Sequence, residues 1–171
     1  MMDKRPAIRS LQVKNLLSFG EDNSPIELQN LNVLIGPNGS GKSNLIEVVG
    51  LLRATPKDLG EAIRLGGGAL EWLWKGSDEI PKAVIEAIVS PEHGSMPLRY
   101  HIEFTRAGYR FEVTDEKIEN ENPQAGHEIP YFYFGYVDFP LLANRSDGAF
   151  PWLLARTNPP VSCKLWLVPA N

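Results

Sequence analysis

Cysteine occurs once in the 171 residues, at Cys163. A single thiol excludes an internal disulfide, and a chain of this kind fits a reducing, intracellular compartment. Long apolar runs are missing as well. No stretch approaches the roughly 20 residues that span a bilayer, and Met1-Met2-Asp3-Lys4-Arg5-Pro6 is polar and leads into no apolar leader. The expectation is a cytoplasmic protein with no membrane partner. Positive charge is not in surplus: 17 Lys and Arg against 21 Asp and Glu leave a net charge of −4. That balance gives no global attraction to nucleic acid, although a local basic face would be hidden in it. Histidines number three (His93, His101, His127), widely spaced and without a cysteine at metal-ligand spacing, so no zinc site is expected. Cys163 lacks the paired base that nucleophilic catalysis needs. No internal repeat is visible.

What is present is enough apolar residue, 43% of the chain, to bury a core, in about one domain's length. The chain is organised around residues 31–52. Val33, Leu34 and Ile35 are an apolar run that reads as a strand buried on both faces. A glycine-rich turn follows, and from Lys42 to Leu52 apolar residues fall almost all round a helix, which is expected to be buried too. Gly36, Gly41, Lys42 and Ser43 fit the G-x-x-x-x-G-K-[ST] pattern of a phosphate-binding loop. Gly36, Gly39 and Gly41 let the backbone curl so that successive N–H groups face one anion. The helix start adds unpaired N–H groups and the positive end of a dipole. Lys42 supplies an ammonium for the β- and γ-phosphates, and the Ser43 hydroxyl a ligand for Mg²⁺. A turn that only joined a strand to a helix would need no lysine followed by serine at that point.

Residues 7–14 read as a strand with Leu11 and Val13 on one face. Residues 15–20 are a turn, 21–25 a loop, and Ile26-Glu27-Leu28 a short second strand. Beyond Leu52, Thr55 is expected to cap a helix with Pro56 at its first position and Asp58 in its first turn. Leu59, Ala62, Ile63 and Leu65 supply its stripe, Gly66 its end, and Gly66-Gly67-Gly68 a flexible joint. Packing is the expected role of Trp72 and Trp74. The period then changes to two. Residues 83–89 are a mostly apolar strand, and 98–105 and 109–114 are a hairpin closed by Arg106-Ala107-Gly108. Ile118 belongs to a further short strand, residues 119–123 to a loop, and 131–137 to an aromatic strand. On this pattern His101 lies on the polar face of the hairpin and is simply solvated. From about Pro140 to Asn171 periodicity is lost, and Pro151, Pro159, Pro160 and Pro169 break any long element.

Residues 8–52 resemble the opening segment of ABC-type ATPases of the RecF/SMC/OLD-nuclease group. The shared features are a strand, the turn Asn15-Leu16-Leu17-Ser18-Phe19, a second strand, and the loop Gly36-Pro37-Asn38-Gly39-Ser40-Gly41-Lys42-Ser43-Asn44-Leu45. Residues 66–118, with Glu71-Trp72-Leu73-Trp74-Lys75-Gly76 and the hairpin, resemble the following part of bacterial SMC-like "AAA family" ATPases. The resemblance implies an α/β P-loop NTPase, the N-terminal lobe of an ABC-type head over residues 1–139, with an antiparallel β-meander. It implies ATP and Mg²⁺ as cofactors, with Gly36, Pro37, Asn38, Gly39, Ser40, Gly41, Lys42, Ser43 and Asn44 binding nucleotide. Asn38 would lie near the γ-phosphate, Lys42 would serve catalysis, and Ser43 would hold the metal. Two heads sandwich nucleotide in that group, so the implied partner is a head-to-head homodimer or a second polypeptide, with DNA a partner of the larger proteins in repair or phage defence. Gln124 stands by analogy near the γ-phosphate. Arg5, Arg9 and Lys14 read as surface charge or, by the same resemblance, as phosphate or DNA contacts.

No Leu-Ser-Gly-Gly-like signature occurs in the chain, and no apolar strand ends in Asp-Glu. Tyr133–Val137 leads to Asp138, but Phe139 stands where a glutamate is needed, so Asp138 is expected to be a strand-end residue. The chain therefore reads as a truncated head with a tail, residues 140–171, that is out of family. Nucleotide binding is expected, with hydrolysis only if the missing motifs are supplied. An inactive remnant or interaction module is the alternative. A GTPase would need an Asn-Lys-x-Asp base reader, which is absent, and a kinase would need an acceptor site and lid arginines.

Overall fold

The computed structural model describes residues 6–90 and 96–137. Its strands are β1 (Ile8–Lys14), β2 (Ile26–Glu27), β3 (Ala83–Val89), β4 (Leu98–Ala107), β5 (Arg110–Asn120) and β6 (Phe132–Val137). They form one sheet in the order β2-β1-β3-β4-β5-β6, each neighbouring pair antiparallel. Three helices lie between β2 and β3 in the chain: α1 (Lys42–Ala54), α2 (Leu59–Leu65) and α3 (Ala69–Trp72). From β3 to β6 the sheet is the expected meander. Asp138, Cys163 and the tail expected over 140–171 lie outside the described residues.

The period of two decides which sheet face is covered. Leu11 and Val13 of β1, Ala83, Ile85 and Ala87 of β3, and Tyr100, Ile102 and Phe104 of β4 are buried. They join one core with Leu45, Val48 and Leu51 of α1 and Leu59 and Ile63 of α2. Each such aliphatic side chain contributes roughly 1.5–3 kcal/mol by leaving water. The hairpin is longer and tighter than expected. Arg106 and Ala107 stay in the ladder, with Ala107 opposite Arg110, so only Gly108 and Tyr109 make the turn. Gly108 has φ 63°, the left-handed value that a two-residue turn with glycine at its first central position requires. Ile118 belongs to β5 itself, not to a separate strand, and β5 runs on to Asn120.

Three local expectations are corrected. Residues 31–35 pair with no described strand and are not a strand: Leu31, Val33 and Ile35 are 82%, 74% and 90% exposed. An apolar run becomes a strand only when a neighbour takes up its backbone groups, and among the described residues none does. The same lack of cover leaves α1 buried on one side only. Leu45, Val48 and Leu51 face the core, whereas Ile46 is 65% exposed. Thr55 does not cap α2. It is buried at the end of α1, its backbone N–H bonded to Leu51 O and its hydroxyl to Leu52 O (2.8 Å). Asp58 is the cap, accepting the Glu61 N–H at 2.8 Å, and α2 begins one residue later.

Gly66-Gly67-Gly68 is a built turn. Gly67 and Gly68 have φ 98° and 90°. A Cβ on Gly66 would stand 2.4 Å from the Trp72 Nε1, which itself donates to Ile63 O at 3.2 Å. Both tryptophans pack against glycine: the Trp74 indole lies 3.2 Å from a Cβ placed on Gly20 and 2.2 Å from one on Gly76.

Candidate phosphate-binding site

The loop after residue 35 has the backbone its glycines allow. Gly39 and Gly41 are at φ 82° and 85°, a region that costs a residue with a Cβ about 1–2 kcal/mol. Ser40 N–H closes a turn on Pro37 O at 3.3 Å. Gly36 stands so close to Ser40 that an added Cβ would lie 2.9 Å from its Oγ. Gly41 then becomes the N-cap of α1 and supplies no side chain, so the first N–H to find an intrahelical partner is that of Leu45, on Gly41 O at 2.9 Å. The N–H groups of Lys42, Ser43 and Asn44 are the orphan donors of the helix start. They point where the partial positive charge of a 13-residue helix is concentrated.

Lys42 lies back over the loop. Its ammonium donates to Gly36 O at 2.8 Å, Pro37 O at 2.6 Å and Ser40 Oγ at 3.3 Å. Asn38 and Ser43 are exposed and Asn44 is half-buried. The nine residues 36–44 are thus one contiguous donor-rich surface with a cation already on it. Among the described residues no hydrogen bond or ion pair brings a carboxylate to the loop. The donor set fits a polyphosphate: backbone N–H groups, an ammonium, and a free hydroxyl at Ser43 of the kind that binds Mg²⁺.

The turn at 15–20, which the sequence offers as a shared feature of the resembled ATPases without a role for its side chains, adjoins this loop. Asn15 and Leu17 both have φ 53°, uncommon for any residue with a Cβ and most of all for leucine. Hydrogen bonds hold them there: Asn15 N–H to Gly20 O (3.1 Å), Leu16 N–H to Phe19 O (3.0 Å), Leu17 N–H to Trp72 O (2.6 Å) and Trp74 N–H to Asn15 O (3.0 Å). Leu16 is fully buried beneath. At the tip, Ser18 meets the start of α1: a Cβ on Gly41 would lie 2.9 Å from Ser18 Oγ. The signal for Ser18 in the sequence is its place in the five-residue turn.

The other singled-out residues stand elsewhere. Gln124 is exposed, and its backbone carbonyl accepts the His127 N–H at 3.0 Å. Arg9 pairs with Glu121 at 3.2 Å, while Arg5 is outside the described residues. His101 is not simply solvated. Its side chain is only 16% exposed, with Nδ1 3.6 Å from Glu86 and Nε2 3.5 Å from Asp115. That imidazole, with Arg99 beside it, holds the Glu86 carboxyl below its ordinary range against the opposing effect of burial. The antiparallel register causes this, because it sets Glu86 of β3 directly opposite His101 of β4. Among the described residues no cluster of His, Cys, Asp and Glu is arranged to hold a metal ion, and no helix is long and apolar enough to cross a membrane.

Comparison with known proteins bears on the same stretch. The family model described as AAA domain, putative AbiEii toxin, Type IV TA system matches residues 31–136. No curated protein sequence matches the chain significantly. One solved structure, from work on ATP-driven dimerization and DNA-stimulated activation of SMC ATPases, is 20% identical. That similarity covers 62% of this chain and 72% of that one, with a TM-score of 0.42.

Proposed function

Because the chain belongs to the AAA domain family described as putative AbiEii toxin, type IV TA system, we propose that residues 36–44 bind the triphosphate of ATP with Mg²⁺. The observation that carries this is the Lys42 ammonium held on Gly36 O and Pro37 O above uncapped helical N–H groups. A γ-phosphate offers that ammonium charged acceptors in place of two neutral carbonyls, which makes the exchange favourable. The N–H groups of Lys42, Ser43 and Asn44 take the β-phosphate at the helix start. Asn38 faces the γ-phosphate. The Ser43 hydroxyl holds Mg²⁺, which supplies charge neutralisation between the β and γ oxygens.

Binding is the activity this part of the molecule supports. Hydrolysis needs a carboxylate to activate water, and none is bonded to the loop among the described residues. Completion by another head, in a homodimer or by a second polypeptide, is the route to turnover. DNA-linked work in repair or phage defence is the wider role implied by resemblance to the RecF/SMC/OLD group.

Calorimetry of the full chain with Mg-ATP tests the site. Lys42→Ala is expected to weaken binding about a hundredfold, as loss of charge-assisted hydrogen bonds worth about 3 kcal/mol implies. Equal affinity in the two proteins, with both folded, would remove the assignment.

A further inference from the structure

The turn at 15–20 stores strain, and strained turns that their surroundings over-determine cluster at ligand sites. Two residues with a Cβ, Asn15 and Leu17, are held at φ 53° by hydrogen bonds to Gly20 and Trp72 and by the burial of Leu16. This arrangement delivers the Ser18 side chain to the phosphate loop. Its Oγ lies 2.9 Å from the position a Cβ on Gly41 would occupy, and Gly41 is the N-cap of α1. Ser18 is exposed, and among the described residues no hydrogen bond engages its hydroxyl. Lys42 meets the loop at Gly36, Pro37 and Ser40, whereas Ser18 meets it at Gly41. The Lys42 ammonium thus reaches back along the loop to Gly36, whereas Ser18 comes to its helix end from another part of the chain.

We infer that Ser18 is a phosphate-contacting residue of the nucleotide site, its hydroxyl donating to an oxygen of the polyphosphate held at the start of α1. This rests on the ATP assignment above and adds a second wall to it from a distant part of the sequence. A hydroxyl suits the place because its O–H rotates towards whichever acceptor arrives. The absence of a side chain at Gly41 keeps the approach open. Pre-ordering by the strained turn also spares the entropy of fixing Ser18 when ligand binds.

The test is calorimetry of the full chain with Mg-ATP and with Mg-tripolyphosphate, for wild type, Lys42→Ala, Ser18→Ala and Ser18→Thr. Ser18→Ala is expected to weaken both ligands about tenfold, the loss of one hydrogen bond to a charged group. The ligand-free melting temperature should be unchanged, and Ser18→Thr should bind within about twofold of wild type, since it keeps the hydroxyl. Wild-type affinity in Ser18→Ala, while Lys42→Ala loses binding, would overturn the role of Ser18 and leave the site standing. So would a loss confined to ATP, which would put the contact on ribose or base. A lowered ligand-free melt without rescue by Ser18→Thr would make Ser18 a packing residue and overturn the inference. Failure of the wild type to bind, or equal binding by Lys42→Ala, would instead remove the site itself.

Discussion

Glu116 shows at the scale of one residue how far a side chain's environment departs from its chemistry. It is 6% exposed on the core side of β5, opposite Ile102, and its Oε1 accepts the Tyr100 hydroxyl at 2.8 Å. Burial pushes its carboxyl above the ordinary range, against the smaller opposing effect of the Tyr100 hydrogen bond. The folded state therefore keeps this proton to higher pH than the unfolded chain does. Stability from Glu116 is fully present below the unfolded value and is lost as pH rises through the folded one. Glu116→Gln, which can still accept from Tyr100, is expected to melt higher than wild type at pH 8 and to converge with it near pH 4. Melting curves across that range check this, and a gap that widened towards acid would contradict it. Glu86 and Glu103 act with the opposite sign. Glu86 is lowered chiefly by His101; burial raises Glu103, but Lys82 and Thr114 more than offset it. Both favour the fold above the unfolded carboxyl value and lose that contribution as pH falls.

Helix α2 is only seven residues long, Leu59–Leu65, too short to persist without its ends tied. Asp58 ties one end through the Glu61 N–H, and Gly66 ties the other through Ala62 O and Arg64 O. Asp58→Ala is expected to cost about 1 kcal/mol, seen as a fall of roughly 2–4 °C in the melting temperature of a chain this long. Asp58→Asn, which keeps an acceptor, should recover most of it. Placing the cap at Thr55 goes wrong by three residues for a physical reason. Thr, Pro and Asp in succession offer two competing helix starts. The chain uses Thr55 to finish α1, where its hydroxyl reaches Leu52 O, and then turns before starting α2 at Asp58.

Over the whole described molecule, apolar surface divides into a closed core and an open face. Leu31, Val33, Leu34, Ile35 and Ile46 are exposed, and Leu34 and Ile46 line a groove of about 410 Å³ with Ile8, Leu28, Leu45 and Val49. The two regions should answer differently to substitution. Leu11→Ala, in the fully buried middle of β1, is expected to cost about 2–5 kcal/mol in denaturant unfolding. Ile35→Thr should stay within about 0.5 kcal/mol of wild type. A cost at Ile35 as large as at Leu11 would show that the face is covered in solution.

The sequence by itself determined whatever depends on near neighbours in the chain. The glycine turn at 36–41 and the helix start at Lys42 are legible because they depend on residues within a single short stretch. Strands β1 and β4 are legible because one face of each alternates against water, and β3 because its run is mostly apolar. Tertiary structure alone decided the rest, for reasons that lie in pairing. A bulge between Glu103 and Phe104 sets Glu103 opposite Asp115 and Phe104 opposite Val113, leaving Thr114 as the extra residue. Past it the alternation of β5 is reversed, so Glu116 falls on the core face while Asp115 and Lys117 share the face of His101. Ser18 stands beside Gly41 because its turn is tied to a distant part of the chain, the Leu17 N–H donating to Trp72 O and the Trp74 N–H to Asn15 O. The run at 31–35 has the composition of a buried strand, but burial is a property of what lies against it. Among the described residues no strand pairs with it, and of its apolar residues only Leu34 is more than half covered.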